Sequence, residues 1–273
     1  MGYGPWTMDR GRWTTDHGPW AIVRRPWSVV LFLMSALQPV EHLLSNGAIS
    51  LTGQFVWGSN YTFLVRVTGE GGEIAAVYKP ARGERPLWDF PPGTLAAREV
   101  AAYRASRALG WDLVPPTVLR RDGPAGPGSL QLYVDADPER HYFTFSEEEK
   151  QRLRPAAAFD ILINNADRKG GHVLLGSQGH IWLIDHGLCF HEDDKLRTVI
   201  WDFAGERIPP EILEAIERFR AELAAGGPAH QSLAALLTLE ERRALEQRAE
   251  RLLTSRDFPL PADDRRPYPW PLV

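Results

Sequence analysis

The sequence has little cysteine, no long apolar run and no large excess of charge. Its single cysteine, Cys189, excludes an intrachain disulfide, which agrees with a reducing, cytoplasmic setting. The net charge of −4 gives no electrostatic reason to expect binding to nucleic acid or to an anionic membrane. With 44% hydrophobic and 24% charged residues among 273, the composition predicts a soluble globular protein of one large domain or two lobes.

The strongest apolar run is SVVLFLMSAL at 28–37. It is much shorter than the roughly 20 residues of a membrane-spanning helix, so the sequence predicts no transmembrane segment. Arg24 and Arg25 precede the run, as basic residues do in a signal peptide. However, the run lies late in the chain and no small-residue cleavage site of the usual kind follows it, so we expect a cytoplasmic protein.

A tryptophan repeat occupies the beginning of the chain. Trp6, Trp13, Trp20 and Trp27 recur every seven residues, but the neighbouring glycines and prolines exclude a continuous coiled-coil helix. We expect residues 1–33 to be poorly ordered and dispensable, with Met34 as a sensible translation start. The alternative is a short aromatic repeat that packs against the rest of the protein.

Strand patterns precede helical patterns along the chain, which predicts an α+β fold. Residues 48–69 and 73–80 alternate as strands, LAAREVAAYRASRAL reads as a helix that ends at Gly110, and VPPTVL and SLQLYV read as further strands. Ser146 with Glu149 and Thr238 with Glu241 form capping boxes of later helices, and Pro155 predicts a break in the first of these. We expect an N-terminal lobe at 34–134, a helical lobe at 135–257 and a proline-rich tail at 258–273.

The strand EIAAVYKP carries the first candidate for chemistry. Its alternation places Ala75, Val77 and Lys79 on one face, and an ammonium at the end of an apolar face needs an anionic partner. Glu99, on the following helix, is the expected partner. A lysine at the surface end of a strand would give the same local pattern.

Two further polar clusters lie within apolar surroundings. In FDILINNADRKGGHVLL, Asp160 and Asp167 bracket Asn164 and Asn165, which favours a loop projecting into an active site over a simple Asx-rich turn. In IWLIDHGLCF, an apolar strand ends at Asp185, and a glycine follows two residues later, a common way to present a carboxylate to Mg²⁺. That second signal is weak when taken alone.

The order Lys79, Glu99, Asp167, Asp185 is the order that phosphoryl transfer requires in the kinase fold: phosphate clamp, clamp orienter, base and metal ligand. Together, VYKPARGERPLWDFPPGTLAAREVAAY, GSLQLYV, FDILINNADRKGGHVLL and LIDHGLCF resemble the phosphatidylinositol 3- and 4-kinase-like family. The likeness is greatest to type II phosphatidylinositol 4-kinases and their bacterial relatives, and it covers roughly residues 48–205. It implies a two-lobed protein-kinase-like fold with an antiparallel N-terminal sheet, one helix and a mostly helical C-terminal lobe.

The resemblance also implies a role for each matching residue, with ATP and Mg²⁺ or Mn²⁺ as cofactors. Lys79 would bind the α- and β-phosphates, Glu99 would hold Lys79, Asp167 would accept the proton of the acceptor hydroxyl, and Asp185 would bind the metal. The nucleotide would further contact these residues: Val77, the hinge Gln131, Leu132 and Tyr133, and the phosphate loop Gly58, Ser59 and Asn60.

One position departs from the family pattern. The family has asparagine five residues after the catalytic aspartate, where it binds a second metal ion, and this sequence has His172. An imidazole there favours Mn²⁺, a one-ion site, or a protein that binds nucleotide without transferring phosphate.

The sequence therefore favours an ATP- and metal-dependent phosphotransferase that acts on a hydroxyl of a protein or small molecule. A nucleotide-binding pseudokinase with a regulatory or scaffold role is the first alternative, and adenylyl transfer or lipid kinase activity is the second. Cys189 is expected to be a buried core residue rather than a functional thiol.

Overall fold

The computed structural model describes residues 7–9, 12–14, 37–55, 61–176 and 179–273. The expected phosphate loop, Gly58 to Asn60, lies outside these residues, as does most of the tryptophan repeat. Within the repeat, strands β1 (Thr7–Asp9) and β2 (Arg12–Thr14) pair in antiparallel fashion. The chain divides into two compact units, one comprising the residues up to Ala96 with Pro116–Tyr133, and the other Ala97–Pro115 with Val134–Val273.

The first unit is built on a five-stranded antiparallel sheet. Its strands are β3 (Ala48–Phe55), β4 (Thr62–Gly69), β5 (Gly72–Pro80), β6 (Thr117–Arg120) and β7 (Gly128–Leu132), in the spatial order β3-β4-β5-β7-β6. Ala76 and Tyr78 of β5 are fully buried, whereas Ala75, Val77 and Lys79 are partly exposed. This alternation follows from the two-residue repeat of a strand and confirms the shared face of Ala75, Val77 and Lys79.

Helix α1 (Leu37–Asn46) covers the fully buried side of this sheet. Its Leu43 and Leu44 pack in one apolar cluster with Val67 and Leu130. Arg120 holds the end of the helix, because its Nη1 donates to the carbonyls of Leu44 at 2.7 Å and Gly47 at 3.0 Å. A buried guanidinium thus satisfies carbonyls that a helix end leaves without intrahelical partners.

The second unit is mostly helical. Helix α2 (Leu95–Leu109) lies in it from Ala97 onward, so one unit boundary cuts this helix. Another boundary falls between Tyr133 and Val134, next to the lobe boundary expected after residue 134. The remaining elements are α3 (Glu147–Gln151), α4 (Arg154–Ile163), β8 (Val173–Leu175), β9 (Ile181–Leu183), α5 (Pro210–Ala224), α6 (Pro228–Ala234) and α7 (Leu239–Ser255). No helix in the part of the chain that is described has both the length and the apolar character to cross a membrane.

Local signals in the sequence set several of these bounds. Both predicted capping boxes form: the Ser146 side chain accepts from the Glu149 N–H at 3.2 Å, and Thr238 accepts from Glu241 at 3.2 Å. The predicted break at Pro155 separates α3 from α4, where proline occupies the first turn and needs no backbone donor. Helix α1 was not predicted, although its Pro39 lies in the first turn, where a helix tolerates proline.

Candidate active site

In the first unit, the candidate nucleotide-binding residues lie on neighbouring strands. Val77 of β5 is opposite Gln131 of β7, and Lys79 is opposite Ser129. Val77 and Lys79 are partly exposed, so both lie on the side of β5 that the core does not fill. Their shared face suits a ligand that has an apolar ring and an anionic tail.

The expected hinge follows directly from β7. The N–H of Leu132 donates to Pro116 O at 2.8 Å, and the N–H of Tyr133 donates to Ala75 O at 3.0 Å. The Gln131 side chain is buried and donates to Thr117 Oγ1 at 2.9 Å. Because the N–H groups of Leu132 and Tyr133 already have acceptors, a backbone donor to a nucleotide base is expected further along the chain.

In the second unit, the loop after α4 is fixed by buried polar groups. Asn164 ends the helix in the left-handed conformation, with φ of 54°, and its Nδ2 donates to the carbonyls of His191 and Asp193. Asn165 Nδ2 donates to Asp160 Oδ1 at 3.1 Å, while its Oδ1 accepts from the Asp167 N–H at 3.0 Å. The two asparagines and Asp160 are buried, so they support the loop from within, and Asp167 alone among these four side chains is partly exposed.

Arg168 is fully buried and links this loop to the strand end that carries Asp185. Its Nε and Nη2 donate to the Asp160 carboxylate at 3.0–3.1 Å. Its Nη1 donates to Ile184 O at 2.7 Å, and its Nη2 lies 2.8 Å from His186 Nε2, which accepts because a guanidinium can only donate. The Arg168 side chain therefore ties the loop that carries Asp167 to Ile184, the residue before Asp185.

Asp167 lies between a low-polarity environment and two cations. Burial is the largest influence on its carboxyl and raises its pKa, and the nearby Asp185 acts in the same direction. Lys169 Nζ lies 3.0 Å from Asp167 Oδ2, and both Lys169 and Arg197 oppose the rise.

Asp185 lies two residues after the end of β9. Its φ is 60°, an uncommon backbone conformation for a residue other than glycine. Its Oδ2 lies 3.3 Å from His172 Nε2. The other ring nitrogen of His172, Nδ1, accepts weakly from the Lys169 N–H at 3.5 Å. The structure thus brings Asp167, His172 and Asp185 together in one region of the second unit.

Glu99 of α2 is buried, and its Oε2 accepts the backbone N–H of His186 at 2.9 Å. The helix glutamate therefore holds the turn that presents Asp185. Lys79 belongs to the first unit and Glu99 to the second, so their expected ion pair stays a prediction.

Sequence reasoning missed the parts played by Arg168, Lys169 and Arg197. Arg168 directly follows Asp167 in sequence, and a buried arginine needs a carboxylate partner, which Asp160 supplies. Lys169 follows Asp167 by two residues, a spacing that could have suggested a cation at the site. Arg197 is distant in sequence, and no local signal could have indicated it.

Most of the chain is similar to a protein from Mycobacterium tuberculosis. Protein Rv2133c of Mycobacterium tuberculosis is 42% identical over 275 residues, which cover 88% of this chain and 98% of that protein. The chain belongs to the same family as Rv2133c. No protein-family model matches the sequence.

Plant kinases show a weaker similarity. Phosphatidylinositol 4-kinase gamma 4 of rice is 29% identical over 234 residues, which cover 63% of this chain and 41% of the rice protein. The protein of the same name from Arabidopsis thaliana is 27% identical over 197 residues, or 55% of this chain and 34% of the plant protein. This chain thus spans less than half the length of these plant relatives.

Solved structures identify the fold. The Golgi casein kinase with Mn/ADP bound aligns with a TM-score of 0.54 at 17% identity and covers 81% of this chain and 75% of its own. The hydra Fam20 structure with sugar aligns with a TM-score of 0.50 at 16% identity, over 81% of this chain and 88% of its own. The predicted α+β, protein-kinase-like fold is confirmed.

Proposed function

We propose that the protein is a phosphotransferase that uses ATP and a divalent metal ion to phosphorylate a hydroxyl group. One observation carries the proposal. Asp185 lies close enough to Asp167 to raise the pKa of Asp167, and the buried Arg168 joins the two loops that carry them, within a kinase-like fold. Two carboxylates on a rigid support are what a base and a metal ligand require.

The residues of this region fit a divalent ion that is shared with nucleotide phosphates. Asp185 offers an exposed carboxylate and His172 an adjacent imidazole, 3.3 Å apart. Among the described residues, no group of three or more histidine, cysteine, aspartate or glutamate side chains forms a complete metal cage. Mg²⁺ in phosphotransferases is typically held by one or two carboxylates together with substrate phosphates and water, so an incomplete set of protein ligands is expected.

In this proposal Asp185 would hold the ion, and the ion would neutralise charge on the transferring phosphoryl group. His172 Nε2 lies 3.3 Å from that carboxylate, so the imidazole would be the second protein group beside the ion. In the first unit, Lys79 and Val77 would take the phosphates and the base of the nucleotide, together with backbone groups near Tyr133. Gly58, Ser59 and Asn60 remain the proposed phosphate loop.

The protein's own side chains then account for the transfer. An acceptor hydroxyl bound beside Asp167 passes its proton to the carboxylate as its oxygen bonds to the γ-phosphorus, and the bond to the bridging oxygen breaks to release ADP. Lys169, 3.0 Å from Asp167, and the neighbouring Arg197 supply positive charge where the phosphoryl group carries negative charge. The raised pKa of Asp167 makes it a better proton acceptor than an ordinary aspartate.

The acceptor has two candidate classes. A protein or small-molecule hydroxyl is the broader one. The inositol ring of a lipid is favoured by a specific observation, the 29% identity to the rice phosphatidylinositol 4-kinase gamma 4.

The test uses ATP labelled at either the γ or the α phosphate, with Mg²⁺ or Mn²⁺. Acceptors are water, a mixed peptide library and vesicles containing phosphatidylinositol. Release or transfer of the γ label, absent in Asp185→Asn, supports the proposal and identifies the acceptor class. Transfer of the α label indicates adenylyl transfer instead, and nucleotide binding without release of either label indicates a pseudokinase.

A further inference from the structure

A cavity of about 570 Å³ lies within the second unit, apart from Asp167 and Asp185. It is formed by the second half of α7, the chain that follows this helix, the segment 194–201 and one residue of α4. Its walls are largely apolar, and Ile161, Leu196, Trp201, Phe258 and Leu260 contribute to them. This volume is typical of a site for a small organic ligand.

The charged side chains on the lining are unevenly paired. Its three carboxylates each face an arginine: Asp194 lies 2.8 Å from Arg265, Asp257 lies 3.2 Å from Arg207, and Glu250 pairs with Arg220. Of the remaining lining arginines, Arg251 is exposed and makes no ion pair with any residue that the structure describes, and Arg248 is buried without a carboxylate partner among them. The lining has equal numbers of arginines and carboxylates, but two of its carboxylates pair with Arg207 and Arg220 outside it, which leaves Arg248 and Arg251 of α7 without an ion-pair partner among the described residues.

Arg248 is held in place yet incompletely satisfied. Its Nε donates to Leu162 O at 2.8 Å and its Nη1 donates to His191 O at 3.2 Å. Its Nη2 is buried and has no hydrogen-bond partner within the described residues. Leaving a buried guanidinium nitrogen without an acceptor is costly, and because this nitrogen is buried, a ligand in the cavity contacts it only if the side chain shifts. Burial, followed by the neighbouring charge of Arg251, lowers the pKa of Arg248 to about 10, so it still carries its charge near neutrality.

We propose that this cavity binds a small amphipathic anion, with a carboxylate or phosphate at Arg248 and Arg251 and an apolar body against Leu196, Trp201 and Phe258. The positive charges of Arg248 and Arg251, neither of which has an ion-pair partner among the described residues, select the anionic group. The apolar walls select a hydrocarbon or aromatic body, because removing such surface from water is favourable.

The same arginine connects the cavity to the active-site loop. His191 O accepts a hydrogen bond from Arg248 and another from Asn164 Nδ2 at 3.0 Å. Asn164 lies three residues before Asp167. Asp194 and Leu196 of the lining belong to the segment that Asn164 fastens, since Asn164 Oδ1 accepts the Lys195 N–H at 2.9 Å. A bound anion is thus expected to restrain residues 191–197.

The test measures binding by calorimetry and by the midpoint of thermal unfolding, without reference to catalysis. The probes are decanoate and decyl phosphate, with decanol and decylammonium as neutral and cationic matches below their aggregation concentrations. Arg251→Gln removes one charge from an exposed position, and Arg243→Gln, on the same helix but off the lining, is the matched control. Thr254→Trp fills the cavity from an exposed position on α7.

Both anions are expected to bind at least tenfold more tightly than decanol. Arg251→Gln should weaken anion binding about tenfold, the usual effect of losing a hydrogen bond to a charged group, and Arg243→Gln should not. Thr254→Trp should abolish binding, and hydrogen exchange at 191–197 should slow when decanoate is present. Equal binding of all four probes, binding that resists both Arg251→Gln and Thr254→Trp, or no binding of either anion overturns the proposal. None of these results depends on whether the protein transfers phosphate.

Discussion

Replacing Arg168 by methionine tests the support beneath the two candidate catalytic carboxylates. The substitution keeps much of the side-chain volume but removes the guanidinium that neutralises the fully buried Asp160. Asp160 would keep only the amide of Asn165 and the hydroxyl of Thr198 as donors, and Ile184 O would lose its 2.7 Å bond from Arg168.

The expected loss is large. Breaking one side of a buried ion pair costs about 3–5 kcal/mol. The buried His186 Nε2 also loses the hydrogen bond from Arg168, which adds about 1–3 kcal/mol. Arg168→Met should therefore lower the free energy of unfolding by about 4–8 kcal/mol, out of a total that is typically about 5–15 kcal/mol. Urea denaturation followed by far-UV circular dichroism measures this free energy.

A second variant keeps the test decisive if the first fails to fold. Asp160→Leu combined with Arg168→Met replaces the ion pair by apolar groups, an exchange that is often neutral or stabilising once both charges are gone. The double variant should be more stable than Arg168→Met because it removes the unpaired buried charge. It should stay less stable than the wild type, because these groups lose a hydrogen-bond partner: Ile184 O, His186 Nε2, Asn165 Nδ2 and Thr198 Oγ1. An exposed control, Arg243→Met, should change little. If Arg168→Met unfolds within about 1 kcal/mol of the wild type, or if the double variant is no more stable than the single one, the buried network is not as described.

Three further results are expected. Because the pKa of Asp167 is raised on folding, its contribution to stability is present below the unfolded pKa of 3.8 and is lost as pH rises through the folded pKa. Asp167→Asn should therefore raise the unfolding temperature at pH 7, and this gain should shrink towards pH 4. A lower unfolding temperature of the variant at pH 7 would contradict the assignment. His172→Asn should lower the ratio of Mn²⁺-supported to Mg²⁺-supported turnover, measured as ADP release, and an unchanged ratio would place His172 away from the metal. The Cys189 thiol is buried and its pKa is raised, so it should react with a disulfide reagent only on unfolding; rapid modification of the folded protein would argue against the buried position.

Much of the fold could be predicted because its signals are local. Alternation on β5 gave the face of Lys79, and the side chains of Ser146 and Thr238 marked helix starts. The order of Lys79, Glu99, Asp167 and Asp185 along the sequence predicted the kinase-like fold. Helix α1 escaped prediction because it depends on tertiary support, including the Arg120 side chain some 70 residues away in sequence.

The candidate site was predictable in its exposed members and not in its supports. Asp167 and Asp185 stand out because carboxylates at the ends of apolar segments need a reason. Charged residues such as Asp160 and Arg168 are usually exposed, but both are fully buried here and form an ion pair with each other. The fastening of the 191–197 segment by Asn164 and Arg248 joins residues far apart in sequence, which neither periodicity nor spacing can indicate.

The most direct test of the account compares nucleotide binding with turnover in Asp167→Asn. The amide keeps the volume and most hydrogen bonds of the carboxylate but cannot accept the proton. Calorimetry should find the affinity for ATP and metal within about threefold of the wild type, while γ-phosphate transfer falls about 10²–10⁴-fold, the usual scale for losing a general base. Transfer that persists at the wild-type rate in a variant with unchanged binding would contradict the central claim that Asp167 is the catalytic base.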